Sequence, residues 1–101
     1  MNHKIVAMPP VHPGEILREE YLLPLNLSAG ALARRLGVPR TRIERLANES
    51  TAVTPDTALR LARCFGTTAE FWMNMQSGYD IKVAEVANAD ELGRIERIEL
   101  A

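Results

Sequence analysis

The sequence has a single cysteine, Cys64, so no disulfide can form within the chain and no cysteine-rich metal site exists. Its apolar residues never run together for long, whereas a membrane span needs about 20 and a secretory leader an apolar core of roughly 7 to 15. A soluble, cytoplasmic chain is expected, with no membrane partner. Aromatic residues make up only 5%, so Phe71 and Trp72 matter mainly as packing, or as a dimer contact if one is exposed. Strand-like alternation persists nowhere long enough to suggest a sheet. His3, His12 and Cys64 are the best candidates for catalysis or metal binding, and no pair of them has helical metal-ligand spacing. Cys64 falls beside an apolar stripe, where a free cysteine is usually small and buried. His12 suits a helix cap better than a ligand. No enzyme, metal, cofactor or small-molecule substrate is expected.

What is present is 101 residues, 47% hydrophobic and 25% charged, enough for one folded domain with a modest core. The net charge of −1 hides a partition along the chain. Residues 34 to 63 carry Arg34, Arg35, Arg40, Arg42, Arg45, Arg60 and Arg63 against Glu44, Glu49 and Asp56, a balance of +4. Residues 64 to 101 carry Glu70, Asp80, Glu85, Asp90, Glu91, Glu96 and Glu99 against Lys82, Arg94 and Arg97, a balance of −4. A basic middle and an acidic end suit two different partners.

Helical punctuation divides the rest. Residues 1–11, with Pro9 and Pro10, read as an arm without periodicity. Pro13 starts a first helix with Ile16, Leu17 and Tyr21 on one stripe, ending near Leu23 because Pro24 disfavours a helical residue before it. Ser28 caps a second helix, with Ala29, Leu32, Ala33 and Leu36 inward and Gly37 as its left-handed stop. A third runs from Arg40 to about Asn48, burying Ile43, Leu46 and Ala47. Thr54 and Pro55 open a fourth, with Ala58, Leu61, Ala62 and Phe65 inward and Gly66 at its end. Thr67 and Glu70 form the capping box of a fifth, lined by Phe71, Trp72 and Met75. Beyond Tyr79 the pattern weakens, and Asn88 with Glu91 caps a short last helix carrying Leu92, Ile95 and Ile98. The expectation is an all-α, five-helix domain over residues 12–82 with a short acidic extension, 83–101, available for a dimer or protein contact.

The helices around Gly37 carry the functional signal. A DNA-binding helix-turn-helix needs a small residue where its helices cross, a glycine in the turn, and apolar residues that pin the second helix steeply. Ala33, Gly37, Val38, Ile43 and Leu46 fall at those spacings, with Leu32 and Leu36 completing the inner face. The segment thus resembles the helix-turn-helix domain of the lambda-repressor and Cro type. In that geometry the leading residues of the second helix face base edges. Arg40, Thr41, Glu44 and Arg45 are the candidate base readers, because arginine pairs with guanine O6 and N7 and glutamate accepts from cytosine N4. Ser28, Arg42, Asn48 and Thr54 are the candidate phosphate contacts.

The likeness extends beyond this motif. His12-Pro13-Gly14-Glu15-Ile16-Leu17, Thr57-Ala58-Leu59-Arg60-Leu61-Ala62, Phe71-Trp72-Met73-Asn74-Met75-Gln76 and Tyr79-Asp80 together resemble the HigA antitoxins over about residues 11–82. That resemblance implies a small homodimeric repressor that binds an inverted-repeat operator and neutralises a RelE-like, mRNA-cleaving toxin. One departure stands out: Asn48-Glu49-Ser50 replaces the Asn-Gly turn expected after the recognition helix. The alternative reading is a protein-interaction module, or an orphan transcriptional regulator without a toxin partner.

Overall fold

His12 sets the start of the first helix by turning its ring back on the chain, where Nδ1 accepts the Gly14 N–H at 2.9 Å. The computed structural model describes residues 10–100, so His3 and most of the expected arm lie outside the described residues. Helix α1 spans Pro13–Ile16 and continues as a π-helical segment, Leu17–Leu22. Pro24 does not break the helical backbone at Leu23, contrary to expectation, since Leu23 keeps α-region dihedrals of −64° and −52°. The wider turn explains this: Leu23 N–H bonds back to Arg18 and Leu27 N–H to Leu22, five residues each, which leaves slack around the ring.

Helix α2, Ala29–Leu36, is capped by Ser28, whose Oγ accepts the Ala31 N–H, and stops at Gly37 with φ of 72°. Helix α3, Arg40–Ala47, follows after a tight turn and buries Ile43, Leu46 and Ala47. Thr54 caps α4, Pro55–Phe65, which ends at Gly66 with φ of 74°. The sequence marks α2 and α4 clearly because each carries a periodic apolar stripe between a capping hydroxyl and a glycine stop, whereas α3 shows the stripe without a side-chain cap.

Helix α5, Ala69–Ala87, departs from the expected pattern at both ends. Its N-cap is Thr68, whose Oγ1 accepts the Phe71 N–H, rather than Thr67. Thr67 is engaged elsewhere, because its hydroxyl accepts the indole N–H of Trp72 at 2.8 Å and satisfies the polar atom of a fully buried ring. That places Trp72 inward and turns Phe71 outward, 40% exposed instead of lining the core. The helix also runs well past Tyr79. A short sixth helix, α6, spans Ala89–Gly93; Asn88 gives it no side-chain cap, because its amide donates back to the Ala84 carbonyl. Ile95 and Ile98 lie beyond α6 and not on it.

The architecture is all-helical, with six helices among the described residues. Leu17, Leu32, Ile43, Leu46, Leu61 and Trp72 form a fully buried centre to which the π-helical segment and α2 to α5 all contribute. Tyr21 bridges it at the edge, its ring 4.5 Å from Phe65 and 5.4 Å from Trp72. The molecule measures 53 × 26 × 24 Å. Part of that length is α5, about 28 Å at 1.5 Å per residue, whose second half carries exposed Ile81, Val83 and Val86.

Candidate nucleic-acid interface

Three independent contacts fix the pose of α3. At its C-terminal end, Gly14 of α1 lies so close that a methyl there would stand 1.8 Å from the Leu46 carbonyl oxygen. Arg18 then donates to the Ala47 carbonyl and to Glu49 Oε2, closing the helix end with a cation where its dipole is negative. Beyond α3, the buried amide oxygen of Gln76 accepts the Val53 N–H at 2.8 Å and ties the following loop to α5. Neither Gly14 nor Gln76 has a role that composition or periodicity could reveal.

With Ile43, Leu46 and Ala47 buried, the opposite face of α3 is exposed, and it carries Arg40, Thr41, Arg42, Glu44 and Arg45. The buried or half-buried side holds the expected helix-turn-helix positions: Leu32, Ala33 and Leu36 are buried on α2, and Val38 is half-buried in the turn. Arg40 Nε lies 3.3 Å from Glu44 Oε2, so two candidate base readers pair with each other one turn apart. The stem of Arg40 lies over Gly30 of α2, beside Arg34. Arg34 is not singled out by the sequence motif; its exposed place beside Arg40 emerges only once the helices are crossed.

The four candidate phosphate contacts are placed differently from one another. Ser28 and Thr54 serve as helix caps through an oxygen lone pair; the Ser28 hydroxyl proton stays available to an outside acceptor, whereas the Thr54 hydroxyl donates to Thr57 Oγ1 at 3.3 Å. Asn48 Oδ1 accepts the Ser50 N–H within the turn after α3. Glu49 in that turn has φ of 68°, the left-handed conformation that glycine adopts without strain. The departure from Asn-Gly is thus accommodated at a backbone cost, with the Glu49 carboxylate held by Arg18. Arg42 does not extend freely toward solvent: its Nη1 lies 2.6 Å from Asp56 Oδ2.

Asp56, in the first turn of α4, also accepts from Arg60 Nε at 3.1 Å. Arg42 first and Arg60 second hold its carboxyl below the usual aspartate range. Because the folded value is depressed, this contribution is complete above the ordinary aspartate pKa and is lost as pH falls through the lower folded one. Thr41, Arg42, Arg45, Thr51, Thr54 and Asp56 line one open groove between α3 and α4.

Of the remaining candidates, Cys64 and His12 lie among the described residues. Cys64 is exposed on α4 rather than buried, since it falls off the Ala58 and Leu61 stripe. His12 is buried, serves as a cap, and meets the Tyr79 ring edge-on at 4.8 Å. No group of three or more His, Cys, Asp or Glu side chains suited to a metal ion occurs among the described residues. No helix among the described residues is long and apolar enough to cross a membrane.

An exposed basic helix set across a supporting helix is the arrangement of a DNA reader, and comparison with known proteins gives it a family. A helix-turn-helix family profile matches residues 17–72. The chain is 42% identical to the Pseudomonas aeruginosa antitoxin HigA, solved with the higBA promoter, over 89% of this chain and 99% of that one, with a TM-score of 0.86. This chain belongs to the HigA family of helix-turn-helix antitoxins. Vibrio cholerae antitoxin HigA-1 is 39% identical over 72 residues, covering 71% of this chain and 68% of the relative. Virulence-associated protein I of Dichelobacter nodosus is 58% identical over 78 residues, covering 77% of this chain and 72% of the relative. The matched residues 17–72 take in α2, the turn at Gly37 and α3, together with α4 and the start of α5.

Proposed function

We propose that this chain is a cytoplasmic, homodimeric autorepressor that reads an inverted-repeat operator with α3 and neutralises a RelE-like, mRNA-cleaving toxin. The observation that carries the reading is the exposed face of α3, where Arg40, Thr41, Glu44 and Arg45 stand clear of the core that holds the helix. These four read base edges, while Ser28, Arg42, Asn48 and Thr54 meet phosphates. Arg40→Ala is expected to cost about 1 to 3 kcal/mol on the operator and to relax preference at one base pair per half-site. Arg42→Ala should weaken operator and scrambled duplexes alike. Equilibrium titration of both duplexes checks the pair, and the reverse pattern would mean that α3 is rotated in the groove.

Dimerisation falls to the C-terminal part, where Ile81, Val86, Leu92, Ile95 and Ile98 are between 48% and 82% exposed. A partner that covers these side chains would remove their apolar surface from water. A chain ending at Lys82 keeps Tyr79 against His12 and Asp80 on Gln76 Nε2, so its helix-turn-helix core retains its support. It should sediment as a monomer and bind the operator weakly; a truncated dimer would place the interface elsewhere.

Toxin binding uses negative surface away from α3, because a protein that holds RNA must be basic. Glu15 on α1, Glu19 and Glu20 on the π-helical segment after it, and the acids from Glu70 onward supply it. Charge reversal at both clusters is expected to slow association with the toxin and spare operator binding. An unchanged on-rate would remove the electrostatic part of this reading.

A further inference from the structure

We propose that Asp56 restrains Arg42 and so holds down the sequence-independent DNA affinity of the helix-turn-helix. This rests on the DNA-binding reading above and adds a residue that limits binding rather than making it. Asp56 stands in the same groove as Thr41, Arg45 and Thr54, on the side where phosphates would run, and it is the acid there. Its carboxylate takes Arg42 Nη1 at 2.6 Å and Arg60 Nε at 3.1 Å.

The two arginines differ in what happens if that carboxylate is neutralised. Arg60 has a second anchor, because its Nη1 donates to the Leu36 carbonyl at the end of α2 at 2.8 Å, so it stays on the protein. The Arg42 guanidinium has no other partner among the described residues. In the native chain a phosphate oxygen must therefore compete with Asp56 for the Arg42 guanidinium, on any DNA sequence. All three side chains are exposed, and exposed pairs are weak enough for a phosphate to displace. Asp56 thus makes the cation at residue 42 conditional without abolishing it.

The test uses the full chain and a scrambled duplex of fixed length, titrated across a salt series. Asp56→Asn keeps the size of Asp56 and one side-chain oxygen acceptor in the first turn while removing the charge, and Asp56→Ser repeats the measurement with a different uncharged side chain. Both should bind scrambled DNA about 5-fold more tightly per protomer near 0.15 M salt, with the salt slope steeper by about one. In an Arg42→Ala background the same substitutions should lose most of that gain. Scrambled-DNA affinity that stays the same or falls overturns the proposal. So does a gain of equal size in the Arg42→Ala background, which would reduce Asp56 to simple repulsion. The operator is titrated in parallel to separate the two layers. If the parent prefers the operator while Asp56→Asn gains nothing on scrambled DNA, the restraint alone is wrong; if the parent binds neither duplex, the DNA-binding reading falls and the restraint with it.

Discussion

Gly14→Ala is expected to destabilise the fold by about 3 kcal/mol and to weaken operator binding beyond what the lost stability explains. An added Cβ would stand 1.8 Å from the Leu46 carbonyl oxygen and 3.1 Å from His12 Nδ1. The first neighbour is backbone of α3, which cannot swing aside as a side chain can. α1 must therefore retreat from the C-terminal end of the recognition helix, and the cap at His12 and the clamp from Arg18 to Ala47 retreat with it. Gly78→Ala is the matched control. It lies inside α5 with nothing within 4 Å of an added Cβ, so alanine there should stabilise by roughly 0.5 to 1 kcal/mol. Denaturant titration with an unchanged slope reads both effects. A Gly14→Ala protein as stable as its parent would show that α1 and α3 are not packed backbone to backbone.

Trp72→Ala should cost about 3 to 5 kcal/mol, the largest single loss in the molecule. The ring is fully buried, lies 5.4 Å from Tyr21, and gives its only polar atom to Thr67. Its removal leaves a cavity between α5 and the π-helical segment that carries Tyr21. Trp72→Phe should cost much less, because most of the volume survives and the Thr67 hydroxyl, at the edge of the core, can turn to water. Phe71→Ala, one residue away and partly exposed, should stay below about 1 kcal/mol. Equal losses at 71 and 72 would contradict the register of α5.

That register shows where the sequence was readable and where it was not. Ser28, Gly37, Thr54, Pro55 and Gly66 are local signals, and each stands where its cap or stop chemistry requires. Thr67 and Thr68 offer equal cap chemistry one position apart, and a tertiary bond from Trp72 decides between them. Beyond Tyr79 the apolar residues surround α5 without one inner face, because no other described segment covers them, and the periodic signal fails for that reason. The exposed face of α3 was legible from the spacing of its buried residues. Its restraints were not: Asp56 lies 14 residues from Arg42 and Glu49 31 residues from Arg18, distances that only the fold closes. The positive φ at Glu49 likewise explains why a glycine was expected there.

Whether α3 reads a DNA sequence is tested most directly by the affinity of the full chain for the promoter upstream of its own gene, set against a scrambled duplex of equal length, across a salt series. A sequence-reading α3 gives a preference of about 1,000-fold or more at physiological salt, with affinity for both duplexes falling steeply as salt rises. Equal affinity for the two duplexes at every salt concentration would contradict it, and would leave a protein-interaction module as the better description of the same fold.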